Sequence, residues 1–462
     1  MRHLLSLGLA LAASGCSFYQ PDLTDCVLPC PDAGSCPGGM ACVEGLCRAA
    51  GRTEACECIA GKTRPCGSNV GACKQGFQEC TREGTWGACT GGIEPTEEVC
   101  DGRDNDCDGR TDFTAAKLLM DDRRPFTTYE TRLFGHPGGY ALVYFGGTPD
   151  GGEGLLVQRY DARFEALGAP TVLHDGSWNR GYSAANDAVV VAMVNVDERV
   201  LAYATAMTPG APGVTVLDLP DAGYERRGFV ALSPDGGARV AWGTGASVRL
   251  ADVDLSGGEP LVRDVPMPED AGAIIDFALS SGGRYSLVQL DANPDGGTYL
   301  NFFLDNDTLD AGREGVFGYE YPFRRGRPWL QEVGGRLPYV SDWEDETGTT
   351  RVTYTYNLLD SDDGYDVLPP GTGRWAENAV TLLPDGDLLM AISDLRQQAI
   401  VLAKIHGTSF ADYETVLRNL PENSGFGPPA VAVTPGDEMV GLVWTSTRGV
   451  YARRVCVPFI GD

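Results

Sequence analysis

Basic residues and long hydrophobic segments are scarce in this sequence of 462 residues. It contains 36 Lys and Arg against 64 Asp and Glu, which gives a formal net charge of −28 at pH 7. A surface of that sign repels a phosphate backbone, so we expect no nucleic-acid partner. No segment approaches the roughly 18 consecutive apolar residues that cross a bilayer, so we also expect no membrane-spanning helix.

Histidine and the usual catalytic motifs are scarce too. Beyond His3, the histidines are His136, His174 and His406, and none has another histidine nearby in the sequence. The sequence has no Gly-x-Ser-x-Gly elbow, no His-Glu-x-x-His pair and no Walker-type phosphate loop. We therefore name no catalytic residue and no organic cofactor, and the sequence favours a non-enzymatic protein. A catalytic set assembled from distant segments stays open as an alternative.

The amino terminus has the pattern of an export signal. Residues 1–3 are basic, residues 4–13 form an apolar run, and residues 13–16 end in small side chains and Cys16. This ending resembles the lipobox of bacterial lipoproteins. The resemblance implies that residues 1–15 are removed and that Cys16 carries the lipid. In these lipoproteins, Asp directly after the lipidated cysteine favours retention in the inner membrane. Ser17 stands at that position here, so the resemblance implies an outer-membrane or surface location. The alternative is an ordinary signal peptide followed by a disulfide cysteine.

Cysteine is concentrated in residues 16–112, which we call the neck. Of the fourteen cysteines other than Cys16, thirteen lie between Cys26 and Cys107, and the last is Cys456. An even number in an exported chain predicts up to seven disulfides, with Cys456 either paired back to the neck or free. Zinc is the alternative for clustered cysteines. It is disfavoured because the neck has no Cys-x-x-Cys pair and no histidine.

The most specific segment of the chain is residues 66–112. Cysteines recur there after glycines, and the segment ends in Cys100-Asp-Gly-Arg-Asp-Asn-Asp-Cys-Asp-Gly-Arg-Thr-Asp112. This ending resembles the MopE-type metal-binding motif of bacterial surface and secreted proteins, which is named after a copper-binding surface protein. The resemblance covers about a tenth of the chain, and it implies a metal site in the neck.

The residues themselves also indicate a metal. Asp104, Asp106, Asp108 and Gly109 occupy positions one, three, five and six of a calcium-loop register, and the Arg110 carbonyl and the Asp112 carboxylate follow at positions seven and nine. Ala115 stands at position twelve, so the bidentate glutamate of an EF-hand is absent. Oxygen ligands favour calcium over copper, which prefers nitrogen or sulfur. The remaining alternative is an acidic turn that binds no metal.

Residues 113–462 repeat with a period near fifty. An apolar strand, a tight turn and a second apolar strand recur with spacings of 46 to 52 residues. The turn residues are Gly138, Asp187, Gly236, Gly282, Gly334, Gly386 and Gly436. Each period has room for four short strands, so the pattern predicts an all-β fold, a seven-bladed β-propeller. Two packed sandwiches or an eight-bladed ring are the alternatives. Lys117–Met120 and Gly449–Cys456 are expected to share one blade, locked by a disulfide at Cys456.

Three further features carry weaker expectations. Residues 342–346 and 360–366 are acidic, and we expect solvated loops rather than binding sites there. Trp178, Trp329 and Trp375 precede inner strands, where they either pack between blades or line the mouth of the central channel.

Together these patterns predict three segments: a signal peptide (1–15), a lipid-anchored, metal-binding neck (16–112) and a propeller (113–462). The leading hypothesis is a non-enzymatic binding or scaffold protein whose propeller recognises a protein or a glycan. One alternative is an extracellular hydrolase or lyase acting on glycan, because propellers support both kinds of function. The other is a copper-binding surface protein.

Overall fold

The computed structural model describes residues 25–32, 34–112, 114, 116–121, 131–176, 180–186, 188–196, 199–207, 214–219, 228–233, 235–243, 248–256, 258–265, 273–291, 298–308, 310–318, 329–344, 350–355, 357, 365–367, 375–394, 399–406, 409–417, 429–446 and 449–456. Every regular element in these ranges is a β-strand, which confirms the all-β prediction. No helix among them is long and apolar enough to cross a membrane. The chain divides into two compact units: Met1–Glu97 with Asp104–Gly109, and Glu98–Arg103 with Arg110–Asp462.

The first unit contains two small hairpins. Their strands are β1 (Ala41–Val43), β2 (Leu46–Arg48), β3 (Thr63–Cys66) and β4 (Gly76–Glu79), with β1 antiparallel to β2 and β3 antiparallel to β4. Glu44 and Gly45 join β1 to β2 with φ angles of 46° and 85°. Left-handed backbone at both positions is the type I′ turn, whose twist matches that of the strands it connects.

Disulfides take the place of an apolar core in the first unit. Six of them lie there: Cys26–Cys56, Cys30–Cys42, Cys36–Cys47, Cys58–Cys80, Cys66–Cys89 and Cys73–Cys107. Two-stranded hairpins are barely stable alone, so these cross-links supply the stability that packing cannot. The predicted disulfide framework is confirmed. Zinc is excluded at these cysteines because each sulfur is bonded to another sulfur.

The second unit is a series of antiparallel four-stranded sheets. Among the described residues there are seven of them, each formed by consecutive strands apart from the last. The first three contain β6 (Arg132–His136), β7 (Gly139–Gly147), β8 (Glu153–Asp161), β9 (Thr171–Asp175); β10 (Arg180–Ala185), β11 (Val189–Val196), β12 (Arg199–Ala206), β13 (Thr215–Leu219); and β14 (Gly228–Leu232), β15 (Ala238–Gly243), β16 (Val248–Val253), β17 (Leu261–Val265). The next three contain β18 (Ala273–Leu279), β19 (Tyr285–Asp291), β20 (Thr298–Asp305), β21 (Asp310–Gly318); β22 (Trp329–Leu330), β23 (Tyr339–Glu344), β24 (Thr350–Thr355), β25 (Tyr365–Val367); and β26 (Trp375–Leu382), β27 (Leu388–Asp394), β28 (Ala399–His406), β29 (Ser409–Leu417).

The last sheet joins the two ends of the second unit. Its order is β30 (Ala430–Val433), β31 (Met439–Ser446), β32 (Gly449–Cys456) and then β5 (Lys117–Met120). β5 lies antiparallel to β32, with Lys117 opposite Ala452. The predicted sharing of one sheet by these two segments is therefore confirmed.

Four-stranded sheets in series, each with its first strand bordering one shared cavity, are the blades of a β-propeller, as the repeat predicts. The predicted turn glycines lie between the first and second strands of their sheets. Asp187 is outside the described residues.

The apolar core fills the spaces between neighbouring sheets. On β14, Phe229 and Ala231 belong to one buried cluster with Leu279, whereas Val230 belongs to another with Val191. Successive side chains of a strand point to opposite faces of the sheet, so one strand contributes to the apolar clusters on both of its sides. Complete burial of one such side chain contributes about 1.5–3 kcal/mol.

Candidate functional site

The first strands of the seven described sheets surround a cavity of about 370 Å³. Each of these strands is hydrogen-bonded to the second strand of its own sheet, and no described strand pairs with its other edge. Because successive side chains pack into the clusters on either side, the strand edges are left to face the cavity. An edge carries main-chain N–H and C=O groups that require hydrogen-bond partners, so the wall suits water or a hydrophilic ligand.

The described residues that line the cavity include one ionisable side chain and one tryptophan. Arg132 on β6 is the one ionisable side chain among the described residues that line the cavity, and it is half-buried. Its guanidinium is permanently protonated and presents a planar set of N–H donors. Trp329 on β22 also lines the cavity. The wall therefore includes the residues Arg132 and Trp329 and three residues with hydroxyl groups, Thr131, Ser183 and Thr381.

The three serines among the described residues of this wall differ in their surroundings. Ser280 is fully buried, donates a hydrogen bond to the Glu332 carboxylate and accepts one from the amide of Tyr285 (3.1 Å). Ser281 Oγ accepts a further hydrogen bond from the amide of Glu332 (3.1 Å), so these groups brace two neighbouring sheets. Ser183 Oγ is buried and has no hydrogen-bond partner among the described residues.

Gly135 permits a close approach between β6 and β30. A Cβ atom on Gly135 would lie 1.9 Å from the carbonyl oxygen of Val433, which is far inside van der Waals contact. A residue with a side chain would push these two strands of the wall apart, so the width of the cavity here depends on glycine.

The tryptophan predictions can be judged at one position. Trp329 both lines the cavity and packs against a cluster that contains Val340, Leu388 and Met390, so both predicted roles are met by the same ring. Trp178 lies outside the described residues, and for Trp375 only the backbone is described.

In the first unit, the structure brings two of the predicted metal ligands together. Asp104 is 6% exposed, and its two carboxylate oxygens accept hydrogen bonds from the amides of Asp108 (3.1 Å) and Gly109 (2.9 Å). Asp106 Oδ1 accepts one from the same Asp108 amide (3.1 Å). Carboxylate oxygens of Asp104 and Asp106 lie within 4.8 Å of each other. A calcium ion bound to both at about 2.4 Å would span that separation.

The turn at Asp104 is anchored at several points. The amide of Ala72 donates to the Asp104 carbonyl (2.8 Å), and the Cys73–Cys107 disulfide crosses the same turn. Gly71 has a φ of 59°, and a Cβ there would lie 2.3 Å from the Asp104 carbonyl oxygen. The backbone that presents Asp104 is thus fixed by a covalent bond and a required glycine.

The other predicted ligands are placed differently. The side chain of Asp108 is exposed and does not belong to the Asp104–Asp106 pair. Arg110 and Asp112 belong to the second unit, where Arg110 is exposed and Asp112 Oδ1 accepts a hydrogen bond from the amide of Gly102 (3.1 Å).

The histidines serve local contacts. His136 is 3% exposed, and its Nδ1 accepts a hydrogen bond from the amide of Gly138 (3.1 Å). His174 Nδ1 lies 2.7 Å from the Tyr203 hydroxyl, and His406 Nδ1 lies 2.7 Å from Asp387 Oδ1.

A charged cluster at the end of β28 was not predicted. Lys404 is 6% exposed, and its Nζ lies 2.7 Å from Asp385 Oδ2 and 3.1 Å from Asp387 Oδ2. Burial opposes the charge on Lys404, but the two carboxylates outweigh it and raise the pKa of the lysine. Burial likewise opposes ionisation of Asp385, but the hydrogen bond and the charge of Lys404, together with the hydrogen bond from the Asp387 amide, outweigh it, so the pKa of that carboxyl is lowered. Strand register, which the sequence does not reveal, brings these residues together.

Several sequence-based predictions lie outside the described residues. These are the signal peptide and Cys16, residues 345–346 of the first acidic loop, and residues 360–364 of the second. For Asp342, Trp343 and Glu344 only the backbone of β23 is described.

No protein-family model matches this chain, and no curated protein matches it. Solved structures of similar fold include Kuenenia stuttgartiensis hydrazine synthase, at 13% identity and a TM-score of 0.48, covering 73% of this chain and 98% of that one. The β-propeller domain of the Trilobed protease from Pyrococcus furiosus has 9% identity and a TM-score of 0.43, covering 72% and 96%. A prolyl endopeptidase has 13% identity and a TM-score of 0.42, covering 71% and 50%.

Proposed function

We propose that this chain is a tethered, non-enzymatic binding protein whose propeller holds a hydrophilic ligand. The observation that carries the proposal is the chemistry of the cavity wall. Strand edges and hydroxyl groups supply hydrogen bonds, and Arg132, the one ionisable side chain among the described residues of the wall, stays protonated at any physiological pH. Such a wall recognises a ligand by hydrogen bonding. Acid–base or nucleophilic chemistry needs a group that changes its protonation state.

The tether is the lipid on Cys16 that the lipobox resemblance implies. Seven disulfides use all fourteen cysteines of the described residues, and the sequence contains fifteen. An odd cysteine left at the end of an export signal supports modification by lipid. Such a dense set of disulfides also requires an oxidising compartment outside the cytoplasm, which fits the outer membrane.

The loop at Asp104 is proposed to bind calcium. The pair formed by Asp104 and Asp106 supplies oxygen ligands at a separation that suits one ion, and the disulfide at Cys107 removes the sulfur that copper would prefer. When bound, calcium would neutralise the repulsion between these two carboxylates and stiffen the turn. The protein contributes the fixed backbone and the amides that orient Asp104.

Two experiments test the proposed function. Wild type and Cys16→Ser are expressed in a Gram-negative host, and the expected result is that wild type sediments with the outer membrane whereas Cys16→Ser is soluble. Equal fractionation of the two would contradict the tether.

Neutral and acidic oligosaccharides are then incubated with the purified full chain and analysed by mass spectrometry. Binding with the oligosaccharide recovered unchanged supports the proposal, and the appearance of cleaved or unsaturated products would overturn it in favour of a hydrolase or lyase.

A further inference from the structure

We infer that the second hairpin of the neck, formed by β3 and β4, rests on the anionic headgroup surface of the membrane that holds the lipid of Cys16. This inference rests on the proposed tether and adds a second contact between the neck and the membrane. Eight large apolar side chains are exposed among the described residues, and five of them lie in the neck: Ile59, Val70, Phe77, Ile93 and Val99. Exposed apolar side chains that are concentrated in one region mark an interaction surface.

The hairpin carries the largest of these side chains. Phe77 on β4 is 58% exposed, and Pro65, directly opposite on β3, is exposed too. Along the other edge of the same segment, Ile93 is 54% exposed and is bridged to Lys74. Such side chains gain free energy when they leave water for the headgroup region of a bilayer.

The hairpin is also basic, in a protein that is acidic overall. Residues 62–82 contain one acidic residue, Glu79, against four basic residues: Lys62, Arg64, Lys74 and Arg82. The whole chain has 64 acidic residues against 36 basic ones. All four basic side chains of the hairpin are exposed, and none of them forms an ion pair within the described part of the chain. Exposed cations of this kind are attracted to anionic headgroups, and the attraction grows with each added cation.

The tether ends beside this hairpin. The first described residue lies nine residues after Cys16, a distance of at most about 31 Å. The carbonyl of the next residue, Cys26, accepts a hydrogen bond from the amide of Ala60 (3.0 Å), which precedes β3. The amide of Gly61 in turn donates to the carbonyl of Cys80 (3.0 Å), directly after β4. The lipid therefore brings the base of the hairpin within reach of the membrane, and charge and apolar side chains hold the hairpin there.

The test uses the lipid-bearing wild type, purified from the membrane fraction and added to preformed vesicles. One set of vesicles contains phosphatidylglycerol and phosphatidylcholine, and the other contains phosphatidylcholine alone. A water-soluble acetylating ester labels the lysines, and mass spectrometry measures the rate at each one. Lys62 and Lys74 should react at least about 10-fold more slowly on the phosphatidylglycerol vesicles, because the anionic surface covers them. The other two lysines, Lys117 and Lys404, belong to the second unit and should react equally on both.

Two variants identify the groups that hold the hairpin. Arg64→Gln/Arg82→Gln keeps both lysines but removes half of the basic charge, and it should restore at least about 5-fold of their reactivity on phosphatidylglycerol. Phe77→Ser should restore about 2- to 5-fold, because it removes the largest apolar contact. The matched control is Arg249→Gln/Arg284→Gln, which removes two arginines of the second unit and should leave Lys62 and Lys74 protected.

The failure of this inference can be told apart from the failure of the tether. Wild type that floats with both kinds of vesicle, while Lys62 and Lys74 react equally on both, would overturn the inference and leave the tether intact. Full protection in both the arginine variant and Phe77→Ser would overturn it as well. Wild type that floats with neither kind of vesicle would contradict the tether, and this inference with it.

Discussion

Cys100 and Cys456 are separated by 356 residues and are joined by a disulfide in the second unit. Beside it, the amide of Cys456 donates a hydrogen bond to the Asp112 carbonyl (2.9 Å), and the amide of Thr114 donates to the Arg454 carbonyl (3.1 Å). The disulfide therefore reinforces the antiparallel pairing of β5 with β32. Without the disulfide, β5 would be held in the last sheet by the pairing of a strand only four residues long. The segment that precedes β5 is thus bonded covalently to the end of β32.

The first prediction concerns mechanical load. When the full chain is pulled between its two termini, tension passes through Cys100 and the disulfide to Cys456, so the propeller between them bears none of it. The Cys100→Ser/Cys456→Ser variant should release up to about 120 nm of additional contour length, because each extended residue spans about 3.4 Å. Optical-tweezers extension of the two proteins, without reductant, measures the difference. Equal extension of variant and wild type would contradict this closure.

The second prediction concerns Gly135. Alanine there places a methyl group against the Val433 carbonyl, so Gly135→Ala should lower the free energy of unfolding by about 1–3 kcal/mol or more. Gly138→Ala is the matched control. Its Cβ would meet only the His136 side chain, at 3.2 Å, and the cost should stay below about 1 kcal/mol. Urea denaturation measures both, and equal stability of the two variants would show that the approach of β6 to β30 is looser than described.

The third prediction concerns the cluster of Lys404, Asp385 and Asp387. Lys404→Met should lower the free energy of unfolding at pH 7 by about 1–3 kcal/mol. This cost lies between that of breaking an exposed salt bridge and that of breaking a buried one. The pKa of Asp385 is lowered in the folded state, so its stabilisation is present above its unfolded pKa and is lost as the pH falls through the folded value. The pKa of Lys404 is raised, so its stabilisation is present below its unfolded pKa and is lost at more alkaline pH.

The difference between wild type and Lys404→Met should therefore be largest from about pH 5 to pH 9 and shrink on both sides. Arg249→Met removes an exposed pair and should cost less than about 1 kcal/mol across that range. A cost for Lys404→Met that does not change with pH would mean that lost packing, rather than charge, explains it.

The fourth prediction concerns metal. Calcium should raise the melting temperature of the full chain relative to EDTA, because a ligand of the folded state stabilises it by mass action. Asp104→Asn should abolish this rise, whereas Asp264→Asn, at an exposed site on β17, should retain it. A rise specific to copper would contradict the calcium assignment, and a rise unchanged in Asp104→Asn would place the ion elsewhere.

Sequence periodicity was sufficient for the propeller because each unit repeats two apolar strands around a tight turn, with glycine at the turn in six repeats and Asp187 in the other. The pairing of β5 with β32 was also predictable, since an unmatched strand candidate stood at each end of the repeat. Trp329 was predictable as a residue of the channel because it precedes an inner strand, whereas Arg132 was not, because nothing in its local sequence marks it. Likewise, the even number of cysteines indicated disulfides, but the partner of Cys100 depends on chain folding that spacing does not encode.

The most direct test of the central claim, that the propeller cavity is a ligand-binding site, is hydrogen exchange of the full chain with and without an oligosaccharide that it binds. The main-chain amides on the open edges of the first strands should exchange more slowly with the ligand, as seen in peptides that contain β6 and β22. Peptides from the outer strands β13 and β17 should be unchanged. Protection confined to the outer strands or to the first unit, or no protection at saturating ligand, would contradict the account.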